Sequence, residues 1–317
     1  MGRSGRNAIL CVTPNPALDR TLEVASLRPG AVMRTTSARV AAGGKGVNVA
    51  RALSVLGAGA RCLGPLGGAS GRILADLAAA EKLDAIWTWC EIETRTCLII
   101  VDSAARQATV VNEGGPRLSA EDWKRVSSDV LREAAAAATI CVSGSLPPGV
   151  LPEDLAGLCR SLRDAGHAPW VDSSGPALAA LLSIAGLRVK INREEAEEAL
   201  GRFLEGIEDC AAAARELVAR GMATVVLTHG AEGAVLAAPD GCWQATASPI
   251  ETSSAVASGD CLLAGLVAAL SAGHGPPEAL SWGVAAGAAN AQAGGGARFS
   301  RPQFDSLLAR VERRVVS

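Results

Sequence analysis

Residues 187–228 read LRVKINREEAEEALGRFLEGIEDCAAAARELVARGMATVVLT, and this stretch begins and ends with a short apolar run. Leu187–Ile191 and Thr224–Thr228 are rich in branched apolar residues, which favours two buried strands. Between them, Asp209–Arg220 has a helical pattern that ends at Gly221, a residue common just after helices. Apolar strands separated by a helix are typical of a parallel sheet covered on both faces.

The same alternation extends outward along the chain. Pro152–Ala165 predicts another helix, and the alanine-rich stretch 133–138 is interpreted as a helix end. Further apolar runs predict strands at Ala8–Val12, Thr139–Val142 and Pro169–Asp172. We therefore expect an α/β fold with three layers, helix on sheet on helix, in which the central sheet is mostly parallel.

Two segments interrupt this alternation. Leu22–Val40 is of mixed polarity, and Thr96–Val111 contains CLIIV and QATVV on either side of a turn near residues 102–106. The second pattern predicts an antiparallel hairpin. Antiparallel pieces inserted into an α/β unit would form a small separate sheet.

Composition restricts the class of protein and its partners. The 317 residues are 49% hydrophobic and 20% charged, as in globular proteins, and the formal net charge is −2. This charge gives no reason to propose nucleic acid or an anionic membrane surface as partner. No apolar run approaches the roughly 20 residues of a membrane helix, so we expect no membrane partner and a cytoplasmic location.

The cysteines and histidines indicate neither a metal site nor a disulfide framework. Nine cysteines form no CxxC pair, and the three histidines are scattered singly. An odd number of cysteines fits a reducing compartment. None of the histidines lies beside a plausible nucleophile, so we expect none to be catalytic.

The most informative acid of the chain is Asp260. The run Ala257-Ser258-Gly259-Asp260 joins a small-residue turn to an apolar helix predicted from Cys261 to about residue 272. Backbone N–H groups of such a turn and of the first helical turn form a nest for an anion such as phosphate. A carboxylate there could accept a proton from an attacking hydroxyl. The segment alone equally allows Asp260 to act only as a helix cap.

A second glycine-rich turn precedes a helix near the other end. Residues 41–51 read AAGGKGVNVAR, which has neither the GxxxxGK[ST] spacing of a P-loop nor the GxGxxG of a dinucleotide fold. Alone, this segment could be an ordinary tight turn.

Together with nine other collinear motifs, these two segments resemble the ribokinase-like (pfkB) carbohydrate kinases. Within that family they resemble the phosphofructokinase branch, which holds 1-phosphofructokinase, tagatose-6-phosphate kinase and the minor 6-phosphofructokinase. The motifs are TPNPALD (13–19), GGKGVNVARAL (43–53), GPLGGASG (64–71), ETRTC (93–97), NEGGP (112–116), VSGSLPPGV (142–150), VDSSG (171–175), VKINREE (189–195), VLTHGAEGA (226–234), ASGD (257–260) and WGVAAGAANAQ (282–292).

The resemblance implies a ribokinase-like fold with a single kinase domain over residues 1–317. It further implies a β-sheet lid over the sugar site, built from about residues 20–40 and 93–112, and a homodimer formed through that lid. Expected small-molecule partners are a sugar phosphate and ATP, with Mg²⁺ as the metal cofactor.

For the sugar side, the resemblance implies that Asp19 binds sugar hydroxyls and that Asp260 is the catalytic base. Arg95 is the expected contact for the phosphate already on the substrate, because a guanidinium matches phosphate bidentately. Arg34 and Lys45 are secondary candidates. The expected substrate-binding residues are therefore Asp19, Arg34, Gly43, Gly44, Lys45, Asn48, Arg95, Ser143, Gly144 and Ser145.

For the nucleotide side, the Asn-x-x-Glu pair Asn192 and Glu195 is expected to organise Mg²⁺ through water, with Glu195 as the metal residue. Mg²⁺ keeps several waters and needs few protein carboxylates. The expected nucleotide-binding residues are Lys190, Asn192, Thr228, Gly230, Gly233, Ala257, Ser258, Gly259 and Asn290, the last on a helix that would line the adenine pocket.

The chain departs from the family pattern at three positions. Ala257 replaces the first glycine of the usual GxGD, Ala255 replaces a common threonine, and Ile191 replaces the proline of Lys-Pro-Asn. The methyl group of Ala257 would shift the turn if position 257 needs a positive φ.

Three functions remain open from the sequence. The first is an ATP-dependent kinase of a ketohexose phosphate, with fructose 1-phosphate or tagatose 6-phosphate favoured and fructose 6-phosphate possible. The second is a kinase of an unphosphorylated sugar or nucleoside. The third is a non-catalytic sugar-phosphate sensor of the same fold.

Overall fold

The computed structural model describes residues 8–316, so residues 1–7 and 317 of the predicted domain lie outside the described part. Two sheets are present in this part. Fourteen strands run over Ala8–Val12 (β1), Ala17–Val24 (β2), Ser37–Gly43 (β3), Ala60–Leu66 (β4), Asp84–Trp89 (β5), Arg95–Asp102 (β6), Gln107–Asn112 (β7), Ala137–Ser143 (β8), Trp170–Asp172 (β9), Arg188–Asn192 (β10), Thr224–Thr228 (β11), Ala234–Ala238 (β12), Gly241–Thr246 (β13) and Glu312–Val315 (β14).

Ten α-helices within residues 8–316 connect and cover these strands. They are Lys45–Val55 (α1), Gly68–Ala80 (α2), Ala120–Ala134 (α3), Pro152–Asp164 (α4), Gly175–Leu182 (α5), Arg193–Leu200 (α6), Ile207–Ala219 (α7), Ser258–Ser271 (α8), Pro276–Gln292 (α9) and Arg301–Leu308 (α10). None of these helices has the combination of length and hydrophobicity that a membrane span requires.

The central sheet has ten strands in the order β14-β13-β12-β11-β10-β9-β8-β1-β4-β5. The seven strands from β11 to β5 pair in parallel, and β12, β13 and β14 extend the sheet antiparallel. The predicted mostly parallel sheet is confirmed, and two of the predicted strands, β1 and β11, have the predicted bounds.

The core lies on both faces of this sheet because side chains of a strand alternate in direction. Leu10 and Val12 of β1 pack into one cluster with helices α3 to α7, whereas Ile9 and Cys11 pack into the other with α1, α8, α9 and α10. This arrangement gives the predicted three layers.

The small separate sheet has four strands in the order β3-β2-β6-β7. The predicted hairpin is β6 and β7, and Asp19 lies within β2. β2 pairs in parallel with β6, so Ala17 lies beside Arg95 at one end of this sheet.

Two sequence predictions require correction. The stretch 133–138 is not only a helix end, because α3 ends at Ala134 and β8 begins at Ala137. Helix α8 begins at Ser258 rather than Cys261, so Asp260 is the third residue of the helix and lies inside its first turn.

Candidate active site

The carboxyl ends of the parallel strands bring several predicted residues to one edge of the sheet. Ser143 of β8 lies beside Asp172 of β9, and Asn192 of β10 lies beside Thr228 of β11. In the central sheet, β4 pairs with one edge of β1 and β8 pairs with the other, so the strand order reverses direction at β1. Ligands of open α/β sheets bind at such a topological switch point.

Asp260 lies buried above this edge, with only 5% of the residue exposed. The Nδ2 group of Asn48, on α1, donates to Oδ2 of Asp260 over 2.9 Å. Because Asp260 and Gly259 belong to the first turn of α8, their N–H groups have no acceptor within the helix. A buried carboxylate and a helix N-terminus that favours anions therefore share one small volume.

The turn before α8 carries the predicted strain at Ala257. Its backbone has a φ of 65° and a ψ of 9°, which is the left-handed region that favours glycine. Asn290 holds the turn in place, since its Nδ2 group donates to Val256 O and to Ser258 Oγ, both over 2.9 Å. Asn290 is fully buried, and its Oδ1 accepts from the N–H of Ala297. A contact between Asn290 and a nucleotide stays a prediction.

Asp172 is the residue of this site that sequence analysis missed. Its carboxylate is fully buried and binds two ammonium groups, Lys45 Nζ at 2.6 Å from Oδ1 and Lys190 Nζ at 3.1 Å from Oδ2. The signal was available, because Asp172 ends a strand within the VDSSG motif at the ligand-binding edge. Lys190 also approaches α8, since a Cβ on Gly259 would lie 2.7 Å from Lys190 Nζ.

The charged groups of this cluster shift each other's pKa values. Burial raises the pKa of Asp260 to about 6, the nearby Asp172 carboxylate adds to the rise, and Lys45, Asn48 and Lys190 oppose it. Burial also acts to raise the pKa of Asp172, but the two ammonium groups outweigh it and hold that pKa below its usual value. Burial acts to lower the pKa of Lys45, and the carboxylates of Asp172, Asp260 and Glu195 outweigh it and raise that pKa well above its usual value.

Asn192 and Glu195 form a capping box at the start of α6. The Oδ1 atom of Asn192 accepts from the N–H of Glu195 over 2.8 Å, and Glu195 Oε2 accepts from the N–H of Asn192 over 2.9 Å. The other carboxylate oxygen, Oε1, lies 3.8 Å from Lys45 Nζ. One oxygen of Glu195 thus remains directed toward the cluster, which suits a cation that takes most of its ligands from water and phosphate.

The remaining nucleotide-side candidates follow β11. Gly230 has a φ of 53° at the start of a short 3-10 turn, Gly230–Glu232, and Gly233 has a φ of 94° at its end. A Cβ on Gly233 would lie 2.1 Å from the carbonyl oxygen of Ala245, so only glycine fits there. Among residues 8–316, no group of three or more His, Cys, Asp or Glu side chains is placed to hold a metal ion.

Asp19 and the first glycine turn form the sugar-side part of the site. A Cβ on Gly43 would lie 2.2 Å from the Asp19 carboxyl carbon, so glycine makes room for this carboxylate. Gly44, with a φ of 107°, is the N-cap of α1. Burial raises the pKa of Asp19 to about 6, against the opposing charges of Arg51 and Arg95.

Arg95 lies close to Asp19, but its guanidinium is already engaged. Its Nη2 donates to Asn15 O and its Nη1 to Glu113 O, each over 2.8 Å, while its buried Nε has no hydrogen-bond partner among the described residues. Arg95 therefore ties the loop after β1 to the segment after β7. Its role as a phosphate ligand stays a prediction.

The other sugar-side candidates are placed differently from one another. Ser143 is fully buried, and its Oγ has no partner within the described part of the chain. Gly144, with a φ of 130°, donates its N–H to Asp172 O over 2.8 Å. Ser145 is exposed. Arg34 is exposed on the loop between β2 and β3, and nothing in the geometry brings it to Asp260.

A cavity of about 390 Å³ lies between the small sheet and the glycine-rich segment that follows α9. Its walls include Asp19 and Asn48 from the site just described, so it opens directly beside Asp260's hydrogen-bond partner. The rest of the lining comes mainly from β3, β6 and residues 293–296. This volume is of the size that holds a small ligand.

We predict that Ala257→Gly increases the free energy of unfolding by about 1 kcal/mol. A non-glycine residue in the left-handed region destabilises the folded state by roughly 1–2 kcal/mol. Glycine removes this strain, but its greater conformational freedom in the unfolded chain lowers stability by about 0.4–1 kcal/mol. Urea unfolding measures the change. The control is Ala255→Gly, whose φ is not positive and which should lower stability. Equal destabilisation by both substitutions would contradict strain at Ala257.

We also predict a pH-dependent stabilisation by Asp260→Asn. The folded protein raises the pKa of Asp260 to about 6, so the wild type loses stability as pH rises from about 4 through 6 and this carboxyl ionises. Asparagine does not ionise, so the variant does not lose stability in this way. Unfolding free energies should therefore differ little at pH 4 and favour the variant above pH 6. Asp240→Asn, at an exposed turn, is the control for removing one charge, and a gain independent of pH would contradict the shifted pKa.

Comparison with known proteins agrees with this geometry. Residues 14–303 match the pfkB family carbohydrate kinases. The chain is 34% identical over 284 residues to the ATP-dependent 6-phosphofructokinase isozyme 2 of Escherichia coli (strain K12), covering 89% of this chain and 91% of that protein. It is 36% identical over 283 residues to the 1-phosphofructokinase of Haloferax volcanii, covering 87% and 88% respectively.

A solved structure shows the same architecture. The crystal structure of phosphofructokinase-2 from Escherichia coli in complex with substrates and products superposes with a TM-score of 0.90 and 31% identity, over 96% of this chain and 98% of that one. The glycine turns, the strand ends and the helix start that carry Asp260 all fall within the region matched by the family. The chain therefore belongs to the pfkB family and is an ATP-dependent carbohydrate kinase.

Proposed function

We propose that this enzyme transfers the γ-phosphoryl group of ATP to a hydroxyl of a ketohexose phosphate and so forms a bisphosphate. The observation that carries the proposal is the buried Asp260 carboxylate in the first turn of α8, with two lysine ammonium groups held nearby by Asp172. Fructose 1-phosphate and tagatose 6-phosphate are the favoured acceptors, and fructose 6-phosphate is the third candidate. The names of the relatives, 1-phosphofructokinase and 6-phosphofructokinase, support a fructose phosphate.

In this mechanism Asp260 accepts the proton of the attacking hydroxyl. A pKa of about 6 suits this role, since the carboxylate is ionised at neutral pH yet basic enough to take a proton. The N–H groups of Gly259 and Asp260 would face developing charge on the phosphoryl oxygens, as donors of an oxyanion hole do, whereas the N–H of Ser258 already donates to Ala255 O over 3.0 Å. Positioning and charge stabilisation supply most of the catalysis in phosphoryl transfer.

The two lysines and Glu195 serve the phosphates of the nucleotide. Lys190, beside Gly259, would lie against the transferred group, and Lys45 would move between Asp172 and a phosphoryl oxygen. Mg²⁺, when bound, shields phosphate charge, and the free Oε1 of Glu195 would hold it through water. Asn192 fixes this carboxylate through the capping box, while Thr228, Gly230 and Gly233 shape the turn that receives the nucleotide.

The sugar would lie in the cavity beside Asp19 and Asn48, with Gly43 and Gly44 allowing close approach of the backbone. Ser143, which ends β8, and the following Gly144 and Ser145 do not line this cavity, so their contact with substrate is carried only by the resemblance to the family. The four-stranded sheet would act as a lid. We also propose a homodimer formed through the lid, on which Val110 and Val111 of β7 are exposed in the single chain.

The test of the proposed function is ADP release across a panel of free and phosphorylated hexoses, with and without Mg²⁺. Turnover of ketohexose phosphates that needs Mg²⁺ supports the proposal. Turnover of free sugars or nucleosides alone would favour the second candidate function. Tight binding of a sugar phosphate without ADP release from any panel member would indicate the sensor.

We predict that Asp260→Asn lowers kcat by about 10²–10⁴-fold, the usual range for general acid–base catalysis. Binding of both substrates should change little, because asparagine has the same shape and can still accept from Asn48. Steady-state kinetics and unfolding on one preparation test this together. A stable variant with near-normal kcat would contradict the role of Asp260 as base; the capping alternative does not apply, because the N-cap of α8 is Ala257 and no side chain caps this helix.

We predict that Arg95→Ala raises KM for the sugar phosphate by about 10- to 150-fold, the equivalent of a charge-assisted hydrogen bond worth roughly 1.5–3 kcal/mol. KM for ATP should stay nearly constant. The competing role, tying Asn15 to Glu113, predicts a different result. Equal increases in both KM values would mean that the lid, and not the phosphate, depends on Arg95.

A further inference from the structure

A continuous chain of hydrogen bonds leads from Asp260 to the protein surface. Asn48 Nδ2 donates to Asp260 Oδ2 over 2.9 Å, and Asn48 Oδ1 accepts from Arg51 Nη1 over 2.9 Å. Arg51 Nε donates to Glu81 Oε2 over 2.5 Å, and Glu81 Oε1 accepts from Arg298 Nη2 over 2.6 Å. The chain joins α1, the end of α2 and the segment before α10.

Arg51 determines which end of the Asn48 amide faces Asp260. A guanidinium can only donate, so the Asn48 atom that contacts it must be the oxygen. The NH₂ group is then directed to Asp260, where it stabilises the ionised carboxylate. Without Arg51, the amide could rotate by 180° and its oxygen could accept a hydrogen bond from the protonated Asp260 carboxyl group, which would favour the neutral form of Asp260 and raise its pKa. The orientation of Asn48 is thus set by the chemistry of its second neighbour.

Arg51 is itself rigidly held. Only 7% of the residue is exposed, its Nη2 donates to Ala42 O over 2.5 Å, and Glu81 binds its Nε. Its Nη1 also donates to Gly296 O over 3.4 Å, so the guanidinium uses three nitrogens for four partners, a geometry that lysine cannot reproduce with one ammonium group. A donor held this firmly is suited to fixing the orientation of another side chain.

We propose that Arg51 is a positioning residue for catalysis, which acts through the Asn48 amide to keep a hydrogen-bond donor on the Asp260 carboxylate. The inference rests on the proposed role of Asp260 as base. Arg51 is one of the residues that line the cavity proposed for the sugar, but this role needs no contact between its guanidinium and the substrate. It differs from a merely structural arginine because its loss changes the basicity of Asp260 and not only the stability of the fold.

The test is the pH dependence of kcat in Arg51→Met and Arg51→Lys. The groups that face Asp260 are Lys45 and Asn48 from α1, Asp172 from β9 and Lys190 from β10, and neither variant changes them. Loss of the Asn48 donor should move the midpoint of the acidic limb upward by about one pH unit and lower kcat at pH 6 by roughly fivefold, because the ionised fraction of Asp260 falls from about one half to about one eleventh. If Arg51→Met does not fold, Arg51→Lys, which keeps the buried charge, carries the test.

Glu81→Gln is the matched control. It weakens the anchor of Arg51 and should reduce stability, but it leaves the contact between Arg51 and Asn48 in place and should not move the midpoint. Asn48→Ala should reproduce the shift, and adding Arg51→Lys to Asn48→Ala should move the midpoint no further, since the two act through one contact. Lysine is used in the double variant because the charge of Arg51 also acts on the nearby carboxyl of Asp19.

Two results would overturn the inference. One is an unmoved midpoint in both Arg51 variants with only stability reduced, and the other is an equal shift in Glu81→Gln. Either result leaves the role of Asp260 intact. Full activity of Asp260→Asn would instead reject the proposed function, so the two failures are distinguishable.

Discussion

The buried carboxylate of Asp172 is the constraint on which the rest of the site depends. It is fully removed from water, and an isolated charge there would be costly. Lys45 from α1 and Lys190 from β10 offset that cost, and in doing so both ammonium groups are held beside the first turn of α8. The carboxylate of β9 thus binds lysines from α1 and β10. Both ammonium groups are already in position when a phosphate enters the site.

The same balance explains why Asp260 differs from an ordinary aspartate. Asp172 and burial both favour its neutral form, whereas the lysines and Asn48 favour its ionised form. The resulting pKa of about 6 is a compromise between these opposing effects, and it lies close to neutral pH. Because this pKa lies only slightly below neutral, a change in the orientation of its hydrogen-bond donor would alter the ionised fraction of Asp260.

Much of the fold could be predicted from periodicity. The five predicted strands all exist, since parallel strands buried on both faces are continuous apolar runs. The strands β12 and β13 were not predicted, because short runs such as Ala234–Ala238 do not differ in pattern from a buried helix segment. The stretch 133–138 was misassigned for a related reason: alanine fits a helix by propensity, and pairing of Ala137 with Ala8 of β1 overrides that preference.

The site was predictable where a residue's own neighbours in sequence carry the signal, and not where its partners are remote. Asp260 and the glycine turns stand in recognisable motifs, whereas the pairing of Asp172 with Lys45 spans 127 positions and leaves no local pattern. The Asn192–Glu195 pair, in contrast, is visible in the local sequence. It caps α6, and it also leaves one carboxylate oxygen of Glu195 directed toward Lys45. Capping and ligand binding are therefore not competing explanations at a helix N-terminus. The cap fixes the side chain, and the atom that the cap leaves free is the one available for chemistry.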